Sequence, residues 1–375
     1  MRALEIGHIV AGPTAGLILS SLGFELIKIE KPNEGDISRR LPGSSSGTFP
    51  YLNWGKKSVT LDIFKDEGKA VFKKLLMTSD VLIDNLARGT LDKAGLGYEE
   101  IKKINPKIIY ASIKAYGYGI YENRKSLDYP IEVHSGLAYM TGLKDRPLRL
   151  GASIVDIGAA MFAVIGILQK LLEREETGVG GIVDVGLFET SMFFVGQHIS
   201  TYQVLGRPIL PINEEGFAWG IYDFFETKDN KKIFVAVTTD KQWIDFCKSL
   251  NLNICNDEKF RRNEDRYRNR SFLIPYLQNE IKKYNSDELI NIFDKNNIGY
   301  SILNKPWDLL HDPHASAKMI KIIFNDKELK VPTPPLIKEI KSNIVPSLGE
   351  DTYKILNELG YNDEEIKKLK ENGVI

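Results

Sequence analysis

The chain has 375 residues, 43% apolar and 27% charged, the proportions of a globular protein with room for two domains. Lys+Arg and Asp+Glu are equal at 50 each, and a chain with no basic excess is not expected to bind nucleic acid. Two cysteines, Cys247 and Cys255, are too few for a disulfide framework or a cysteine metal cluster, and they fit a reducing compartment.

Residues 3–6 read as a buried strand, with no charged-then-apolar leader before them. The expectation is no signal peptide and a cytoplasmic location. No run of about twenty residues reads as apolar enough to cross a bilayer, so no membrane partner is expected. A small-residue turn, Ala11 to Pro13, leads into a helix over 14–22, where Pro13 suits the first turn and Gly23 the exit. Strands are predicted over 25–29, 81–83 and 108–112, with helical runs over 68–76 and 98–104 between them. Such βα alternation implies an α/β fold, a parallel sheet with helices on its faces. A long apolar helix over 161–172 is broken by glycines at 178–181. A strand over 183–187 and a helix over 188–205 follow.

At about Gly206 the pattern changes. Strands about an Asp229-Asn230 turn, then Lys- and Asn-rich amphipathic helices, suggest a smaller α+β domain. The predicted organisation is a large domain over 1–205, a small domain over 206–325, and a segment over 326–375 returning to the large domain.

Asp156 is the most informative single residue. It stands among small and apolar neighbours, just before the long apolar helix. A carboxylate there is an ordinary N-cap, or a positioned and partly desolvated nucleophile with open space beside it. The first strand-turn-helix-strand unit has the shape of a dinucleotide site, but Gly7 to Gly12 does not follow G-x-G-x-x-G, so a nicotinamide or flavin site is not expected. Lys28, Lys31, Lys56, Lys57, Lys93, Arg39, Arg40 and Arg88 lie near strand ends, either as solvated surface or as a set able to hold phosphates. His134 alone reads as a structural histidine. His311 and His314 lack further ligands nearby, and no metal site is expected.

Several segments in order resemble the class III CoA-transferase family, the group of formyl-CoA transferase and carnitine CoA-transferase. They are Ala11 to Pro13, Leu26 to Lys31, Gly55 to Asp62, Asp84 to Gly89, Leu96 to Tyr98, Ile108 to Ser112, Glu175 to Gly178, Asp240 to Trp243, Asp312 to His314 and Leu359 to Tyr361. The alpha-methylacyl-CoA racemases share that fold. The resemblance implies a large Rossmann-like domain and a small one, in a homodimer whose two chains interlock. It makes Asp156 the catalytic residue, passing CoA through an aspartyl anhydride and an aspartyl-CoA thioester. Coenzyme A as substrate and carrier is matched to Ile9, Val10, Ala11, Lys31, Leu61, Asn85, Leu86 and Lys93. The family often has Arg at the positions of Lys31 and Lys93 and Phe at that of Leu86. Lys keeps the charge there but lacks the bidentate fork.

The racemases place a histidine before the aspartate matched by Asp128, and here that position is Leu127, which carries no proton. Transferase is therefore favoured over racemase. A non-catalytic CoA-binding protein is the third reading, against which the retained Asp156 speaks. Asp128, His134, Tyr139 and Met140 are the candidates for the substrate pocket, and the segment 216–222 for a loop closing over Asp156.

Overall fold

In the computed structural model, which describes residues 1–216, 218–338 and 340–375, the N-terminal alternation closes into one sheet. Its strands are β1 (Arg2–Ile6), β2 (Glu25–Glu30), β3 (Lys57–Thr60), β4 (Val81–Asp84), β5 (Ile109–Lys114) and β6 (Gly181–Gly186). They lie in the order β3-β2-β1-β4-β5-β6, and every pairing is parallel. The helices that cover or flank it include α1 (Ala11–Ser21), α2 (Asp66–Met77), α3 (Tyr98–Ile104), α4 (Asp128–Ser135), α5 (Ile154–Thr177) and α6 (Leu187–Leu205).

Successive strand residues face opposite sides. Leu4, Ile27, Val59 and Leu82 pack beneath α2, α3 and the C-terminal helices Thr352–Glu358 and Asp363–Glu371. Ala3, Leu26, Val81 and Ile83 pack against α1 and α5 on the other face. Burial on both faces explains why these strands read as short continuous apolar runs. The edge strand β3 is more polar and is hidden from a hydrophobicity pattern. The C-terminal segment completes it: Ser58 N–H donates to Asp351 Oδ2 at 3.0 Å and Thr60 N–H to Thr352 Oγ1 at 2.9 Å.

The chain divides into a unit of residues 1–209 with 317–375, and a unit of residues 210–316. The boundaries expected at 205/206 and 325/326 thus shift. The second shift has a plain cause. Met319–Phe324 pairs with Lys327–Pro332, and Ile322 joins the core of Phe49, Leu52 and Trp54 in the larger unit.

The smaller unit has an antiparallel sheet of Ile221–Glu226, Lys232–Val237 and Gly299–Ile302. Helices Asp240–Ser249, Arg270–Ile281 and Ser286–Lys295 close over it around Trp243, Phe246, Leu277 and Phe293. Cys247 and Cys255 lie side by side in this unit, with Cα atoms 6.1 Å apart. The helix ending at Ser249 and the turn Asn253–Asn256 fold the chain back on itself there.

A second correction concerns α5. By length and composition it is long and apolar enough to cross a membrane, with mean hydropathy 1.8 over its best window. The apolarity has a local cause. Val155, Ala159, Ala163 and Ile167 are buried in the core between the sheet, α1 and α6. Met161, Ile165 and Leu172 on its other side are exposed.

Candidate active site

β1 and β4 lie side by side at the centre of the sheet, and the chain leaves them toward opposite edges. Parallel sheets of this order bind ligands in the crevice beyond such strand ends. A cleft of about 900 Å³ opens there, walled by Ile9, Val10 and Ala11 after β1 and by Asn85, Leu86 and Arg88 after β4. The two loops touch. A Cβ on Gly7 or Gly12 would stand 3.1 or 2.8 Å from Asn85 Cβ, and Gly12 N–H donates to Asn85 Oδ1 at 3.3 Å. Glycine at 12 is therefore required by close approach.

Ile9 has φ of +66°, a conformation rare for a β-branched residue and kept only when its surroundings impose it. Buried ions supply that constraint. Ile9 N–H donates to Asp36 Oδ1 at 3.2 Å, and Asp36 is held by Lys28 at 2.9 Å. Lys28 donates to Gly7 O at 3.0 Å and Lys56 to Pro13 O at 2.8 Å, while both ammonium groups sit 2.7 Å from Glu5. Burial lowers the Lys56 ammonium to about 8, against the pull of Glu5. These charges organise the loop from beneath and do not face the cleft. Arg39 likewise pairs with Glu30, Lys57 with Glu25 and Lys31 with Glu34. The cations expected as a phosphate-holding set are thus largely engaged by carboxylates.

Asp156 lines the same cleft. α5 begins at Ile154, so Asp156 lies within its first turn, where the sequence pattern placed it before the helix. The cap residue is Ser153, whose side chain makes no cap bond. The open N–H groups are satisfied from another helix: Val155 N–H and Asp156 N–H donate to Asp128 Oδ2 at 3.1 and 3.3 Å. Asp128 is buried at the start of α4, and its Oδ1 accepts from Arg149 Nη2 at 2.9 Å. Arg149 also donates to Ser153 Oγ at 3.0 Å.

Because Asp128 serves the helix end, the Asp156 side chain is left without a hydrogen-bond donor among the described residues. Burial pushes its carboxyl up to about 7, the Asp128 charge adds to the rise, and Arg149 opposes it. A half-buried carboxylate with no donor, facing a cleft, can act as a nucleophile near neutrality.

The cleft brings together Ile9, Val10, Ala11, Asn85, Leu86, Asp128 and Asp156. Other candidates lie elsewhere. Lys31 and Lys93 are exposed and Leu61 is in the core, none of them on the cleft wall. The His134 ring packs with Tyr116, Tyr121 and Phe188, and its Nδ1 is 3.0 Å from Tyr116 Oη. The Tyr139 hydroxyl donates to Ile209 O at 3.4 Å, and Met140 is buried. Leu127 does line the cleft, beside Asp128. Asp240 pairs with the buried Arg266 in the smaller unit. Of the segment 216–222, Phe217 lies outside the described residues. Among the described residues no group of three or more His, Cys, Asp or Glu is placed to hold a metal ion. Arg149 is the residue the sequence does not announce. It sits in a polar stretch before the helix, and only the fold puts it beside Asp128.

The profile of CoA-transferase family III matches residues 1–352. A succinyl-CoA:glutarate CoA-transferase of Mus musculus is 31% identical, across 100% of this chain and 89% of that protein. The alpha subunit of a succinyl-CoA–L-malate CoA-transferase of Chloroflexus aurantiacus is 29% identical, across 100% of this chain and 92% of that one. The crystal structure of a CAIB/BAIF family protein from Brucella suis superposes with a TM-score of 0.82 at 29% identity, covering 96% of this chain and 98% of that one.

Proposed function

The chain belongs to CoA-transferase family III and is a CoA-transferase, and we propose that Asp156 carries the exchange between an acyl-CoA thioester and a free carboxylic acid. One observation supports this most: the Asp156 carboxylate faces the cleft unbonded, while Asp128 occupies the helix N–H groups beside it.

Asp156 attacks the thioester carbonyl. Its oxygen–carbon bond forms as the carbon–sulfur bond breaks, giving a mixed aspartyl anhydride and a thiolate. The Asp156 carbonyl then takes up the thiolate and releases the donor acid, leaving an aspartyl-CoA thioester. The incoming carboxylate reverses the two steps with a different acyl group. Carboxylate and thiolate exchange charge at every step, so no proton is gained or lost. Covalent relay of this kind divides one difficult transfer into easier ones. An anhydride hydrolyses readily, so the site must exclude water.

Coenzyme A is assigned to the cleft walls at Ile9, Val10, Ala11, Asn85 and Leu86. These residues line the cleft where the two loops approach closely, Gly7 and Gly12 packing against Asn85. A racemase needs acid-base groups on both faces of the α-carbon. Leu127 beside Asp128 and the distant packing of His134 favour the transferase. A cytoplasmic homodimer completes the reading. Its apolar contact surface would include Met161, Ile165 and Leu172 of α5 with Phe193 and Val204 of α6, all exposed in the single chain.

The test is acyl exchange read by mass spectrometry. The protein is given succinyl-CoA or acetyl-CoA with a pool of free acids, beside Asp156→Ala, and a 2-methylacyl-CoA in deuterated water. New acyl-CoA masses that vanish in Asp156→Ala are expected. Deuterium at the α-carbon without exchange would overturn the transferase assignment.

A further inference from the structure

The loop after β1 turns at a residue that resists the turn. Ile9 is β-branched, and such a residue keeps a φ of +66° only when something holds it there. The same loop builds one wall of the cleft through Ile9, Val10 and Ala11, and α1 starts at Ala11. Where Val10 and Ala11 stand therefore depends on Ile9.

One bond does the holding. Ile9 N–H donates to Asp36 Oδ1 at 3.2 Å, and no other hydrogen bond reaches the Ile9 N–H among the described residues. Asp36 is buried and is not itself on the cleft wall. It is fixed from several directions. Its own N–H donates to Glu30 Oε2 at 2.9 Å, and Lys28 Nζ stands 2.9 Å from Oδ2. Ser38 donates to Oδ1 from its N–H at 2.8 Å and from its hydroxyl at 2.7 Å. Gly35, just before it, has φ of +65°, and a Cβ there would stand 2.9 Å from Leu348 Cδ1 and 3.1 Å from Glu30 Oε2. A carboxylate held this firmly can impose a conformation on the residue it bonds.

We propose that Asp36 is a positioning residue for CoA: it never touches CoA, and acts through Ile9 by holding the cleft wall in the conformation that CoA binds. Without the Asp36 oxygen, Ile9 relaxes toward negative φ and the wall at Val10 and Ala11 moves with it. CoA must then restore the strained turn as it binds. Strain at one such residue corresponds to about 5- to 100-fold in an equilibrium constant. Glycine, which takes positive φ as readily as negative, would need no such hold. The inference rests on the assignment of CoA to this cleft.

The test is calorimetric titration of CoA into the wild type, Asp36→Ala, Ile9→Gly and the double variant. Asp36→Ala is expected to weaken CoA binding about 5- to 100-fold. On the Ile9→Gly background the same change should cost less than about threefold relative to Ile9→Gly alone. Lys28 keeps Glu5 and the Gly7 carbonyl in every variant, so a folded protein is expected, and thermal unfolding verifies it. Asp36→Asn keeps an oxygen for the Ile9 N–H. It should weaken binding less than Asp36→Ala, and any loss it causes should likewise shrink on Ile9→Gly. Asp36 also fixes Ser38, in the segment that leads to Leu41 and Ser45 on the cleft wall. A loss carried by that segment or by the buried ions would be equal on both backgrounds. Such an equal loss, or undiminished binding in Asp36→Ala, would overturn the proposal. A wild type that binds no CoA would overturn the cleft assignment and this inference together. If the wild type binds CoA with the expected coupling but exchanges no acyl group, the covalent relay falls and the role of Asp36 stands.

Discussion

Asp128 caps a helix to which it does not belong, and the state of Asp156, the proposed nucleophile, follows from that. Burial, and then the Asp128 charge beside it, push the Asp156 carboxyl up to about 7. CoA exchange should therefore rise with pH through about 7, as Asp156 becomes ionised. In Asp128→Asn the neighbouring negative charge is gone, so the rising limb should move to lower pH. A pH–rate profile of both proteins checks this, and an unmoved limb would count against the electrostatic account. Stability follows the same group. A carboxyl whose folded value is raised stabilises fully below its unfolded value of about 4, and that contribution is lost as pH climbs through about 7. Asp156→Asn should thus gain melting temperature over wild type above about pH 7, with the gain shrinking toward pH 4. Thermal unfolding at several pH values reads it directly. Asp156 was legible in the sequence because a lone carboxylate among small apolar residues is unusual. Its place inside the first turn was not, because the cap comes from a residue 28 positions away.

At the scale of elements, β1 and the strands beside it are placed by burial on both faces, and that is what made them readable as apolar runs. β3 escaped because Lys57 to Thr60 are mostly polar, and the C-terminal segment that covers its outer edge is far away in sequence. The buried ions beneath the loop after β1 escaped for a similar reason. Lys28 and Lys56 look like surface cations until the fold closes them on Glu5. α1 packs tightly on this network: a Cβ at Gly16 would meet the Glu5 carboxylate, with Leu26 Cδ2 at 2.7 Å and Lys56 Nζ at 3.1 Å. Gly16→Ala should destabilise by about 1–3 kcal/mol through overpacking, despite the better helix propensity of alanine. Chemical denaturation checks this, and a stabilised variant would show that the network yields without cost.

At the scale of the molecule, the chain divides into residues 1–209 with 317–375 and residues 210–316. The hairpin after residue 317 belongs to the larger unit because Ile322 is buried there. The apolar surface of α5 and α6 is exposed in the single chain, with Phe193 at 72% and Val204 at 82% exposure as its clearest members. If that surface is the homodimer contact, Phe193→Asp should shift the sedimentation coefficient toward the monomer at a concentration where the wild type is dimeric. A wild type that sediments as a monomer across the concentration range would contradict the dimer. On the proposed mechanism Asp156 becomes covalently linked to CoA. The most direct measurement is peptide mapping by mass spectrometry after brief incubation with succinyl-CoA and quenching with hydroxylamine. The peptide containing Asp156 should carry CoA before hydroxylamine and a hydroxamate after it. An unmodified Asp156 in protein that is exchanging CoA, or a label on a different side chain, would contradict it.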